Sequence, residues 1–143
     1  KKELSDQYPE VIWMGSQRGE RLASIYASAD MFVFPSESET YGNVIVEAMA
    51  SGLVPVCYEL AAAKEFVIDE VSGFLATPKS AASFRDAIRQ ALSKQDYWPV
   101  IREIARNEVS GKSWENIIAK FERYLLNVSN DRRNKPLLNL VAA

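Results

Sequence analysis

The sequence of 143 residues contains no histidine and a single cysteine, Cys57. Without histidine, the chain itself offers no imidazole base, nucleophile or metal ligand, and its serines have no imidazole to activate them. A single cysteine excludes an internal disulfide and a zinc cluster built from cysteines, and it fits a reducing compartment. Because Cys57 follows Val56 in an apolar run, we expect a small core residue rather than a nucleophile. The composition therefore disfavours most hydrolases.

An excess of charge of one sign is also lacking, since 17 basic residues face 19 acidic ones and the net charge is -2. This balance does not provide the broad cationic surface that binds a phosphate backbone, so no nucleic acid partner is expected. No apolar run approaches the roughly 20 residues that span a bilayer, and the polar start does not resemble a signal peptide, so we expect a cytoplasmic protein. The alternative of peripheral membrane contact depends on scattered basic residues that could meet anionic headgroups: Arg102, Arg106, Lys112, Arg132 and Arg133.

The chain does contain an alternation of strand and helix signals. Four short apolar runs predict strands at 11–14, 31–34, 54–58 and 74–76, and their continuous rather than alternating pattern is typical of a parallel sheet buried on both faces. The intervening segments predict helices at 20–29, 43–50 and 64–69, the second of which is stopped by Gly52. The fold class is therefore predicted to be α/β, with a Rossmann-like parallel sheet and flanking helices.

Three further helices are predicted after the strands: one at 82–92 with Ser80 as its N-cap, one beginning near Pro99, and one at 113–128. Residues 1–128 are predicted to form one domain, and residues 129–143 a flexible tail. Residues 1–9 resemble the end of a helix that leads into the first strand. We therefore expect the chain to open within a βα alternation, with upstream strands missing.

The segment from Phe32 to Gly52 predicts a ligand site of the strand-loop-helix kind. In open α/β sheets, ligands bind beyond the carboxyl ends of the strands, and the start of a helix offers unpaired N–H groups at the positive end of its dipole. Gly42 would allow a ligand to approach the backbone closely. The amides of Gly42, Asn43 and Val44 are the predicted donors to phosphate oxygens.

Two carboxylates, Glu39 and Glu47, flank this helix start. An ionised carboxylate accepts hydrogen bonds from neighbouring hydroxyls, so the pair would suit a ribose at one end and a hexose at the other. The residues alone leave a second interpretation equally open, in which Glu39 complements the helix dipole and Glu47 pairs with a surface lysine.

The segment from Phe34 to Val56 reads FPSESETYGNVIVEAMASGLVPV and closely resembles the signature of the retaining glycosyltransferases of family four, also called glycosyl transferases group 1. The resemblance extends outward to Gly15–Asp30 before the signature and to Ser72–Leu75 after it. It implies the GT-B fold, in which two Rossmann-like domains enclose the active site. This chain would be part of the C-terminal, donor-binding domain of such a protein.

The resemblance also implies roles for individual residues. Glu47 would hold the nucleotide ribose, and Glu39, the predicted catalytic residue, would touch the donor sugar. The remaining predicted contacts are to the sugar and diphosphate, from Tyr41, Gly42, Asn43 and Val44, and to the nucleobase, from Gly15, Gln17 and Arg18. Gln17 and Arg18 also have a simpler interpretation as solvated turn residues.

The implied activity is transfer of a sugar from a UDP- or GDP-linked donor to a saccharide or lipid acceptor, without a metal or other cofactor. A cation site at Glu37 and Glu39 is an alternative.

An acceptor domain and a basic pair that neutralises the diphosphate are expected outside this chain, which alone should be inactive. The resemblance also implies two adjacent glycines in the loop after the third predicted strand, where this chain has Ala61 and Ala62 instead. Which donor sugar the protein uses is therefore not predicted. Alternative functions are a nucleotide-sugar epimerase or phosphorylase of the same fold, and a non-catalytic nucleotide-sugar-binding module.

Overall fold

The computed structural model of the protein describes residues 2–38, 42–111 and 114–134. These residues form three strands, β1 (Met31–Phe34), β2 (Val54–Tyr58) and β3 (Phe74–Ala76). The helices are α1 (Lys2–Gln7), α2 (Gly19–Ser28), α3 (Asn43–Ala50), α4 (Ala61–Phe66), α5 (Ala81–Ser93), α6 (Trp98–Val109) and α7 (Trp114–Asn134). Helices and strands alternate from α2 to α5, so the predicted α/β class is confirmed.

The three strands form a parallel sheet in the order β1-β2-β3. In the pairing register, Phe34 of β1 lies opposite Cys57 of β2, and Tyr58 of β2 lies opposite Ala76 of β3. All three carboxyl ends therefore lie along one edge of the sheet. Every residue of β2 is buried, which explains why its sequence is continuously apolar.

The sheet is covered on both faces. Val54, Val56 and Tyr58 of β2 pack in one apolar cluster with α5. The intervening Cys57 belongs to a second cluster, with α3 and α4. Because successive side chains of a strand point to opposite faces, the two clusters are the two faces of one sheet. α6 contributes Trp98 to the first cluster and Ala105 to the second.

The helix termini follow the predicted capping residues. α3 has the predicted bounds and is followed by Gly52 with a φ of +78°. Ser80 caps α5, and its hydroxyl oxygen accepts a hydrogen bond of 3.2 Å from the backbone N–H of Ser83. Pro99 lies in the first turn of α6, where its missing N–H costs nothing. α4 is the least accurate of these predictions, because it begins at Ala61 and ends at Phe66.

The carboxyl end of α3 is anchored to α6. The Arg106 side chain donates a hydrogen bond of 3.3 Å from Nε to the carbonyl of Ala50. Its guanidinium fills the space beside Gly52, where a Cβ would lie 2.1 Å from the nearest guanidinium nitrogen. Gly52 is therefore favoured chiefly for its left-handed backbone, because the flexible guanidinium could move away from a Cβ.

Two sequence predictions require correction. The predicted strand at 11–14 is not a strand, and the described strands do not pair with it. Its Ile12 side chain is 82% exposed, because an apolar run needs a hydrogen-bonding neighbour to become a strand. The last helix is longer than predicted, since α7 continues from 128 to Asn134, whereas a flexible tail stays a prediction. Residues 129–134 contain no glycine or proline that would end the helix. Residues 135–143 of the predicted tail lie outside the described residues.

Among the described residues, no helix combines the length and the apolar character needed to cross a membrane.

Candidate functional site

The loops that follow β1 and β2 leave the sheet side by side. Because Phe34 pairs with Cys57 near the ends of these strands, the segments beginning at Pro35 and Glu59 emerge at the same edge. In open parallel sheets this edge is where ligands bind. α3 and α4 both begin there and pack against each other.

Gly42 opens α3 in a conformation suited to close approach. Its φ and ψ are 74° and 35°, a left-handed conformation that costs glycine little. Its carbonyl oxygen accepts a hydrogen bond of 2.9 Å from the N–H of Ile45, and Gly42, as the N-cap residue, has no side chain that could cap the helix. The N–H groups of the first turn, which begins with Asn43 and Val44, have no acceptors within a helix. They are oriented to bind an anion or another acceptor.

Glu47 lies one turn farther along α3, and its side chain is exposed. It borders a hollow of about 410 Å³ between α2 and α3, whose walls include Leu22 and Tyr26 of α2 and Ala50 of α3. Glu47 therefore meets a concave surface that combines apolar walls with one carboxylate. Such a surface suits a ligand with an apolar ring and hydroxyl groups.

Tyr26 of α2 forms part of this hollow. Its ring is half-buried and makes an edge contact with Phe32 of β1, with 5.9 Å between centroids and an interplanar angle of 66°. Burial, and to a smaller extent the negative charge of Glu47, raise the pKa of the Tyr26 phenol above 10.0. The phenol is therefore a neutral hydrogen-bond donor at physiological pH.

The three residues predicted to border a nucleobase lie at the approach to α2. Gly15 has a φ of +70°, and the side-chain amide of Gln17 donates a hydrogen bond to the carbonyl of Met14. Arg18 is exposed and precedes α2 as its extended N-cap residue. Because this bond joins two residues of the same turn, it favours the interpretation of Gln17 as a turn residue over a contact with a nucleobase. Gly19, the next residue, borders the hollow, so base contacts from Gly15, Gln17 and Arg18 stay predictions.

The structure brings Gly42, Asn43, Val44 and Glu47 together on one helix start. Glu39 and Tyr41 lie outside the described residues, so their roles stay predictions. The same holds for the cation site at Glu37 and Glu39, and within the described part of the chain no three acidic or cysteine side chains are grouped to hold a metal.

The loop after β2 contains an unusual backbone conformation. Ala61, the first residue of α4, has a φ of +40° and is exposed. Left-handed φ values are unfavourable for residues with a Cβ. This strained residue lies at the edge of the sheet where α3 also begins, and it replaces the first glycine of the expected pair.

Comparison with protein families shows which family the chain belongs to. The family model described as glycosyl transferases group 1 matches residues 2–108. The chain belongs to this family. Its relatives include the sulfoquinovosyl transferase SQD2 of Arabidopsis thaliana, which is 32% identical over 112 residues, a match covering 76% of this chain and 22% of the relative. The lipopolysaccharide 1,2-N-acetylglucosaminetransferase of Salmonella typhimurium is 31% identical over 120 residues, or 82% of this chain and 32% of the relative.

Comparison with solved structures shows that the chain also shares the fold of related proteins. The sucrose-phosphate synthase of Thermosynechococcus elongatus superposes with a TM-score of 0.78 at 26% identity, over 91% of this chain and 34% of that protein. The Anabaena protein HepE, solved with UDP and glucose, gives a TM-score of 0.69 at 24% identity, over 90% of this chain and 36% of that protein. The predicted Rossmann-like domain of the GT-B fold is thus confirmed. The chain spans from roughly a fifth to a third of the curated relatives of this family that it matches.

Proposed function

We propose that this chain is the donor-binding part of a retaining glycosyltransferase. The full protein would move a sugar from a nucleotide diphosphate sugar to a saccharide or lipid acceptor. The observation that supports the proposal is Glu47 beside a hollow, one turn from the amide-rich start of α3, in a member of the group 1 family.

Each part of the site has a chemical role in this proposal. The Glu47 carboxylate accepts hydrogen bonds from the two ribose hydroxyls, since an ionised carboxylate has only acceptor positions. The first-turn N–H groups of α3 bind the diphosphate, where the helix dipole favours negative charge. The same groups stabilise the diphosphate as it leaves, because its negative charge grows as the glycosidic bond breaks. Glu39 contacts the sugar.

The names of related proteins support a nucleotide sugar as the donor. One solved structure contains HepE with UDP-glucose, and other relatives are named as GDP-mannose-dependent mannosyltransferases. Both nucleotide classes are therefore candidates for this chain. The relatives named as transferases favour this proposal over an epimerase, a phosphorylase or a binding module.

The remaining parts of the enzyme are proposed to lie outside this chain. Because the chain spans about a third or less of its curated relatives, an acceptor domain and the basic pair would come from the rest of the protein. We expect this chain alone to bind a nucleotide without turning over substrate. A cytoplasmic location and contact with a membrane surface also stay predictions.

Calorimetric titration with UDP and GDP tests the role of Glu47. Replacing a charged hydrogen-bond partner costs about 1.5 to 3 kcal/mol, so Glu47→Ala should weaken binding of the preferred nucleotide by about 10- to 100-fold. Glu103→Ala removes an exposed glutamate from α6 and should leave the affinity unchanged. Equal affinities for the wild type and Glu47→Ala would contradict the assignment.

A further inference from the structure

The helix α2, which forms one side of the hollow, packs only lightly on the rest of the domain. None of its residues is buried, whereas the neighbouring α3 buries Ile45, Ala48 and Met49. Neither of the two apolar clusters that cover the sheet includes a residue of α2. Elements with few buried apolar contacts open locally at a lower free energy than the core does. We therefore expect α2 to separate from the domain more readily than α3.

Two hollows lie beside α2. The first, of about 410 Å³, lies between α2 and α3, and Leu22 and Tyr26 border it from α2. The second, of about 300 Å³, lies between another face of α2 and Met14, and Ser24 and Ile25 border it. Side chains beside an empty volume lack the contacts that would fix them. The helix therefore has space on two of its faces.

The two ends of α2 are attached differently. Near the carboxyl end, the Tyr26 ring meets the edge of Phe32 of β1, with 5.9 Å between centroids. At the amino end, Gly15 and Gly19 have φ values of +70° and +56°, and a Cβ at Gly19 would meet nothing within 4 Å. The amino end of α2 is therefore the freer of the two.

A ligand in the first hollow would supply contacts that α2 lacks. It would meet Leu22 and Tyr26 on one side and Glu47 and Ala50 of α3 on the other. A ligand that binds the docked helix more tightly than the open one shifts the population toward the docked helix. Binding and docking are then one coupled equilibrium.

We propose that α2 docks against α3 when a nucleotide occupies the hollow between them, so that this helix closes one wall of the donor site. This inference rests on the proposed function, which places the nucleotide there. α2 takes no part in bond breaking, and its docking limits how easily the nucleotide leaves.

Hydrogen exchange of the full protein, followed by mass spectrometry with and without UDP or GDP, tests the docking. In the free protein, amides 23–28 of α2 should exchange faster than those of α3. At a nucleotide concentration of about 100 times Kd, openings that require an empty site become about 100-fold rarer, so exchange in α2 should slow by up to about that factor. Because α5 borders neither hollow, its local openings should not change.

The decisive variant is Phe32→Leu, which removes the ring contact with Tyr26 and leaves the lining of the hollow intact. An edge contact of this kind predicts about two- to tenfold faster exchange of α2 in the free protein. The affinity for the nucleotide should fall by up to the same factor, because a smaller docked population lowers the apparent affinity. At saturating nucleotide, protection of α2 should return.

Phe84→Leu is the matched control for this variant. It makes the same truncation in α5, where the Phe84 ring lies 4.8 Å from that of Tyr58 in the other apolar cluster. The control should lower the melting temperature and leave both the exchange of α2 and the nucleotide affinity unchanged. Equal losses of affinity in Phe32→Leu and Phe84→Leu would reveal a general loss of stability and would overturn the inference.

The wild type alone also decides the question, should Phe32→Leu fail to fold. If α2 is as well protected as α3 in the free protein, or if its exchange does not slow when nucleotide is bound, the docking is wrong. The proposed function fails differently. If Glu47→Ala weakens nucleotide binding while α2 keeps its exchange rate, the proposed function survives and the docking does not. If the full protein binds neither UDP nor GDP, both are wrong.

Discussion

Replacing Ala61 by glycine should stabilise the protein. Ala61 begins α4 with a φ of +40°, and a left-handed conformation costs a residue with a Cβ about 1 to 2 kcal/mol. Glycine avoids this cost, but its greater freedom in the unfolded chain removes about 0.5 to 1 kcal/mol. The difference predicts a gain of about 0.5 to 1 kcal/mol for Ala61→Gly. In a chain of this size, that gain corresponds to a rise in melting temperature of about 1 to 4 °C.

Thermal and urea unfolding followed by circular dichroism would measure the effect. Ala82→Gly is the matched control, because Ala82 is also exposed and lies in the first turn of a helix, α5. There the substitution brings only the entropic cost of glycine and should destabilise by up to about 1 kcal/mol. The two variants should therefore change stability in opposite directions.

A loss of stability in Ala61→Gly equal to that in Ala82→Gly would refute the assignment of strain to Ala61. Any difference in nucleotide affinity should be measured separately, since α4 begins at the same edge of the sheet as α3. A change in affinity without a change in stability would mean that the methyl group acts on the ligand rather than on the backbone.

Two other substitutions and one reagent test the packing. Gly73→Ala should destabilise by about 1 to 3 kcal/mol in urea unfolding, because its Cβ would lie 2.5 Å from Pro55 Cγ and 2.8 Å from both the Pro55 carbonyl and Val67. Gly111→Ala, with nothing within 4 Å, should change stability little, and equal losses would contradict the packing argument. Burial raises the pKa of Cys57 to about 12, so Ellman's reagent should label it at pH 8 only after unfolding. Rapid labelling of the folded chain would show that this strand is accessible.

The sequence predicted the elements whose patterns are local. The apolar runs of β1, β2 and β3 lie in the paired strands, and α3 has its predicted bounds because Gly52 ends it. The segment at 11–14 has an equally apolar pattern and is not a strand. Local sequence reports the tendency of a segment to extend, but pairing requires a second segment beside it.

The candidate site was predictable only in part. The start of α3 follows from a strand, a polar loop and Gly42, because parallel strands direct their carboxyl ends to one edge. The place of Tyr26 beside the hollow could not be separated from core packing, because the same ring also contacts Phe32 of β1. The left-handed backbone of Ala61 could not be predicted, because alanine as a residue type does not favour that conformation. A hollow between two helices depends on their separation, which no local pattern encodes.

The contact between Arg106 and the end of α3 also has a consequence for variation among natural sequences. Arg106 holds the carbonyl of Ala50 and occupies the space beside Gly52, at the opposite terminus of the helix from Gly42. A side chain at position 52 would strain the left-handed backbone there and would displace the guanidinium from the end of α3. Position 52 should therefore tolerate few residues other than glycine, and a substitution there should be tolerated best together with a shorter residue at position 106.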